Sequence, residues 1–169
     1  MNDPLNIRLV EADAFERPVK LRLPFRFGAA TLREARQIFL RVRIEDAQGR
    51  AAQGMAAELM VPKWFDKSPE LSNADNENQL RRSLALALDA LKNAGSGTAF
   101  GLHAAVEASH HARAAAEKLN GLVASFGLAL ANRAILDALC RLEGLTIAQA
   151  VKANRPGIDA STARDLAGF

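Results

Sequence analysis

The chain has 169 residues, 49% hydrophobic and 24% charged, which is the composition of one globular domain and leaves too little length for two of ordinary size. Aromatic residues make up only 5% and Tyr is absent, so Leu, Ala, Val and Ile must build most of the core, a composition that favours helix over β-sandwich. The formal net charge of +3 is too small for the electrostatic footprint of a nucleic-acid binder, and nucleic acid is not an expected partner.

The first third reads as strands. Residues 7–11 alternate briefly, and residues 37–45 alternate better, placing Ile38, Leu40, Val42 and Ile44 on one face that should be buried. Asp46-Ala47-Gln48-Gly49 supplies a turn, and residues 50–59 return as an antiparallel partner. Between the first two strands, residues 15–36 carry Pro18, Pro24 and Gly28. That composition predicts a long loop with an extended piece.

Residues 60–78 read as irregular, with Asp75 or Asn76 as the expected cap of a helix on which Leu80, Leu84, Leu88 and Leu91 form one stripe. Gly95-Ser96-Gly97 ends it. A second helix is predicted over 99–119, stopped by Asn120-Gly121, and a third over 122–142, stopped by Gly144. Thr146 should cap a short helix over 147–153, and Asn154-Arg155-Pro156-Gly157 then breaks the chain. The fold class that follows is α+β, a three-stranded antiparallel meander followed by three or four helices. So thin a sheet needs a helix on its apolar face, and the leucine stripe is the expected partner.

A single cysteine, Cys140, excludes an internal disulfide, and the absence of any CxxC or Cys/His cluster argues against structural zinc. The longest charge-free apolar run lies between Lys118 and Arg133, short of the roughly 20 residues that span a bilayer. The opening Met1-Asn2-Asp3-Pro4 lacks the regions of a secretory signal. A soluble, cytoplasmic chain without a membrane partner is the expectation.

His103, Glu107, His110 and His111 fall on one predicted helix, so His103, Glu107 and a later histidine share a face that metal ligation could use. Matching carboxylates elsewhere are scarce, and a solvated polar face is the plainer reading. Cys140 reads as a buried structural thiol rather than a nucleophile. Gly95-Ser96-Gly97-Thr98 lacks the lysine of a nucleotide loop and reads as a linker. Trp64 and Phe65, with Lys63 and Lys67, either stack a ligand or anchor an irregular segment to the core. No nucleophile–base pair stands out.

In their order these elements resemble the N-terminal capping domain of the enolase superfamily, in its mandelate racemase and muconate lactonizing enzyme branch. The residues that carry the resemblance are Pro24-Phe25-Arg26-Phe27-Gly28; the strand ending Val42-Arg43-Ile44-Glu45; Gly49; the looser Gln53-Gly54-Met55-Ala56-Ala57-Glu58; and the helix Ala134-Ile135-Leu136-Asp137-Ala138-Leu139, followed by Gly144. The resemblance implies a cap over residues 1–154 and, over 155–169, the lead-in to a (β/α) barrel that this chain lacks. That barrel would supply the base and the carboxylates for Mg²⁺ in abstracting a proton α to a carboxylate, with racemisation, dehydration or cycloisomerisation as outcomes. No catalytic or metal-binding position carries over, and this chain alone is not expected to be catalytic or to bind a cofactor.

Family caps close over the barrel mouth with two loops, which correspond here to residues 15–33 and 59–64. Phe25, Phe27, Met60, Lys63 and Trp64 are therefore the candidates to contact a small carboxylate substrate. The partner implied is the barrel, or, for a cap without one, self-association through exposed apolar surface. The competing readings are a stand-alone α+β binding or oligomerisation module, and a helical metal binder using His103, Glu107 and His110.

Overall fold

A computed structural model describes residues 3–28 and 30–160. Three strands, β1 (Ile7–Phe27), β2 (Ala30–Asp46) and β3 (Ala51–Met60), are followed by four helices, α1 (Asn73–Asn93), α2 (Ala99–Ala116), α3 (Gly121–Glu143) and α4 (Ile147–Lys152). The strands form one antiparallel sheet in the order β1-β2-β3, so the fold is α+β with a meander ahead of its helices.

Alternation on β2 does what its pattern requires: Ile38, Leu40, Val42 and Ile44 are all at most 2% exposed. Their cover is α3, which packs on β3 and β2, whereas α1 packs chiefly on α3 and touches the sheet little. This corrects the expectation that the leucine stripe lies on the sheet. The cause is backbone access. A Cβ built on Gly54 would stand 2.2 Å from Ala138 N and 2.3 Å from Ala134 O, so only glycine lets α3 lie this close to β3. At Gly127 the same construction puts a Cβ 2.4 Å from Leu84 N and Ser83 O, and there α1 crosses α3 at close range. By length and composition α3 is apolar enough to cross a membrane, and 61% of its apolar window is buried in this fold.

The stretch expected to be a loop is instead regular. β1 and β2 stay paired to Phe27↔Ala30, while β3 stops pairing at Arg36↔Met60. Beyond that row the ribbon is two-stranded and projects as an arm. Its register slips once, from Lys20↔Glu34 to Phe25↔Leu32, a bulge that takes in Pro24. Pro18 fits because β1 is the edge strand and can omit a donor on its open side, and Pro24 fits because it falls within the bulge, outside the paired rows. At the root of the arm, Arg81 of α1 donates to both carboxylate oxygens of Glu16, at 2.6 and 2.8 Å, and this holds the Glu16 carboxyl below its usual range.

The helix ends differ slightly from expectation. Ser72, not Asp75 or Asn76, caps α1, with Asp75 completing the capping box. Asn76 is buried and accepts from Lys63 N–H at 2.9 Å. Helix α2 ends at Ala116, ahead of Lys118 at φ 61°. Thr146 caps α4 and Gly144 closes α3 in the left-handed conformation. After α4, Arg155 turns back into the body and donates through Nε to Glu143 Oε2 at 2.9 Å. Of the presumed lead-in, residues 161–169 lie outside the described residues, as do Met1 and Asn2 at the start.

Candidate functional site

The arm overhangs the segment that joins β3 to α1, and a cleft runs between them. Its larger part is an apolar groove of about 530 Å³, walled by Leu21, Leu23, Phe25 and Leu32 of the arm and by Leu59 and Trp64 of the body. Leu32 also borders a more polar pocket of about 240 Å³, which Thr31, Arg33, Glu34, Lys63 and Asn73 help to line. Phe27 separates the two, 5.8 Å from the Phe25 ring and 5.3 Å edge-on from Trp64.

The floor is rigidly held. Lys63 adopts φ 63°, and its ammonium donates to Ser68 O at 2.8 Å and to Leu71 O. Asp66 accepts from Ser68 N–H at 3.0 Å and from Gln79 at 3.1 Å. Chiefly the Ser68 bond keeps its carboxyl below the usual range. Phe65 packs edge-on against Phe126 at 5.2 Å, and Asn120 Nδ2 donates to its carbonyl at 3.1 Å. The two aromatic neighbours thus divide the work: Phe65 anchors the segment, and Trp64, 50% exposed, faces the cleft.

Of the residues singled out from sequence, Phe25, Phe27 and Trp64 come together here. Lys63 lines the polar pocket, with two of its ammonium donors spent on the loop. Met60 is a correction. It is fully buried, because alternation along β3 turns it to the same inner face as Gly54. Leu21, Leu23, Leu32 and Arg33 also line the cleft, beyond the residues that sequence reasoning singles out. The signal for the first two was Val19, Leu21, Leu23, Phe25 and Phe27 alternating with Pro and basic residues.

The histidines do not converge. His103 Nδ1 lies 2.7 Å from Asn132 Nδ2, and its Nε2 is 3.6 Å from Glu107. His110 faces the core and donates through Nε2 to Ala124 O at 2.8 Å, an oxygen that also accepts from Ser83 Oγ at 2.8 Å. Ser83 Oγ in turn accepts from Gly127 N–H at 3.0 Å, so one buried knot joins α1, α2 and α3. Burial holds His110 below its ordinary pKa of 6.5, against a smaller opposing effect of the Ala124 bond. Among the described residues no group of three or more His, Cys, Asp or Glu side chains is placed to hold a metal. With His110 turned into the core and its Nε2 spent on Ala124 O, the set His103, Glu107 and His110 is not brought together on one open face of α2. Cys140 is buried and its thiol is pushed up by that burial.

A second apolar region lies at the end of the body near α4, where Ile147, Val151 and Ile158 are each about half exposed around Leu136. No protein-family model, curated protein or solved structure matches this chain.

Proposed function

We propose that this chain is the capping, substrate-specificity domain of an enzyme of the enolase superfamily, of the mandelate racemase and muconate lactonizing type, which abstracts a proton α to a carboxylate. The observation that carries the reading is the arm. A β1–β2 ribbon extends past the sheet, its apolar side chains exposed over a groove, with Leu23 at 71% and Phe25 at 54% exposure. A ribbon built this way suits closure over a separate site, where excluding water strengthens the electrostatics around an enolate. The apolar end formed by Ile147, Val151 and Ile158 supplies a surface for the rest of such an enzyme.

In this reading the base and the carboxylates that hold Mg²⁺ belong to a barrel outside these residues. The chain's own work is to bind and orient the distal part of the substrate through Phe25, Phe27 and Trp64. The test is to read the coding sequence beyond codon 169 and assay its full product for Mg²⁺-dependent exchange of the α-proton of carboxylates in D₂O. Exchange that falls when Phe25 is replaced by Ala supports the cap. A product with no downstream barrel and no exchange overturns it. The same exposed α4 end favours the second reading, an oligomerisation module, which a concentration-dependent sedimentation coefficient abolished by Val151→Glu would establish.

A further inference from the structure

The arm differs from the rest of the molecule in charge. From Arg17 to Arg36, both included, there are six Lys and Arg against one Glu, in a chain whose formal net charge is +3, so the remainder is net negative. On the outer face of the sheet body three guanidiniums have carboxylates: Arg8 with Glu45, Arg41 with Asp13, and Arg43 with Glu11. Lys20, Arg22, Arg26 and Arg33 have no ion-pair partner among the described residues. Four neighbouring cations left unpaired beside an exposed apolar groove are complementary to something both anionic and apolar.

We propose that the cleft binds a small anionic amphiphile, its apolar body lying between Leu23, Phe25 and Trp64 and its acidic group reaching Arg33 past Leu32. The apolar body gains by leaving water, and the polar pocket fixes its direction. Lys63 has two donors committed to backbone carbonyls, which leaves Arg33 as the cation with its fork unengaged. That fork matches a carboxylate, sulfonate or phosphate. Two carboxylates border the cleft. Glu58 is held 3.0 Å from Arg133, and Glu34 in the polar pocket is outnumbered by Arg33 and Lys63. Lys20, Arg22 and Arg26 raise the local concentration of anions around the arm. Applied to the substrate, the inference rests on the capping reading and adds a second acidic group, apart from the carboxylate at the reacting carbon. Binding itself depends on this chain alone.

The experiment titrates the full chain with 1-anilinonaphthalene-8-sulfonate and with its uncharged counterpart N-phenyl-1-naphthylamine, reading probe emission and the quenching of Trp64, the one tryptophan. The sulfonate should bind saturably and more tightly than the neutral probe. Arg33→Gln should weaken the sulfonate roughly tenfold, the worth of one charge-assisted hydrogen bond, and leave the neutral probe unchanged. Leu23→Asp should weaken both, and Arg113→Gln on α2 neither. Both tested side chains are solvent-exposed, so unchanged thermal melting is the fold control. Equal sulfonate affinity in wild type and Arg33→Gln overturns the proposal. So does Arg33-dependent binding to phosphatidylglycerol vesicles without binding of the monomeric probe, which would assign the arm to a lipid surface. A cleft that binds while the full product shows no α-proton exchange would remove the capping reading and leave this one standing.

Discussion

Gly54→Ala adds one methyl at the point where β3 meets α3. On the native backbone that carbon lies 2.2 Å from Ala138 N, 2.3 Å from Ala134 O and 2.7 Å from Ala138 Cα, whereas carbon contacts are comfortable at about 3.5–4.0 Å. All three neighbours are backbone, so no rotamer change clears the clash and α3 must retreat by about 1 Å to restore contact distance. The retreat pulls Ala131, Ala134, Ile135 and Ala138, all fully or nearly fully buried, away from the sheet. Overpacking alone costs about 1–3 kcal/mol, and the lost contacts add to it, so about 3 kcal/mol or more is expected. For a domain of this size that lowers Tm by about 6–12 °C. Urea unfolding followed by Trp64 emission, with thermal melting by circular dichroism, measures it. Gly121→Ala is the control, since nothing lies within 4 Å of its added carbon, and there stability should hold or rise slightly. A Gly54→Ala protein within about 0.5 kcal/mol of wild type, the range of inconsequential surface changes, would refute the claim that α3 is seated on Gly54.

His110 is held neutral by burial, its pKa below the ordinary 6.5. The unfolded chain therefore binds the extra proton first as pH falls through that value, and stability should decline from about pH 6.5 downward. The urea midpoint measured between pH 8 and 5 should show this slope in wild type and a shallower one in His110→Gln. Ser83→Ala removes the acceptor of Gly127 N–H and one donor to Ala124 O, and should cost about 1–3 kcal/mol in urea unfolding. Arg155→Ala leaves Glu143, 12% exposed, without its ionic partner, and about 3 kcal/mol of destabilisation is expected by the same measurement.

What could be read from the sequence was whatever burial had imprinted on it. Ile38, Leu40, Val42 and Ile44 alternate because one face of β2 is sealed, and the leucines of α1 recur because one side of that helix is. The arm is hard to read because, apart from Ala35, its described residues are at most half-buried, so burial leaves little pattern on them. Pro18 and Pro24 looked like breakers until the edge position of β1 and its bulge explained them. On α2 the spacing of His103, Glu107 and His110 was visible, but its orientation was misjudged. Leu102, Val106, His110 and Ala114 are the buried positions of that helix, each four residues from the last, and that stripe already placed His110 in the core. The close approach at Gly54 could not be foreseen, since a glycine in a strand looks the same whether it meets a helix or open water.

The open side of β1 has a further consequence, for life at high protein concentration. Twenty-one residues of strand whose open margin is bonded, among the described residues, only at Ile7 and Gly97 are a template on which a second ribbon would ordinarily grow into aggregates. Pro18 withholds an amide proton from that margin, Pro24 and the slipped register between Lys20 and Phe25 interrupt its regularity, and Lys20, Arg22 and Arg26 repel their like. These features disfavour pairing of one arm with another along that edge, and neutralising the three cations together should raise the turbidity of concentrated solutions.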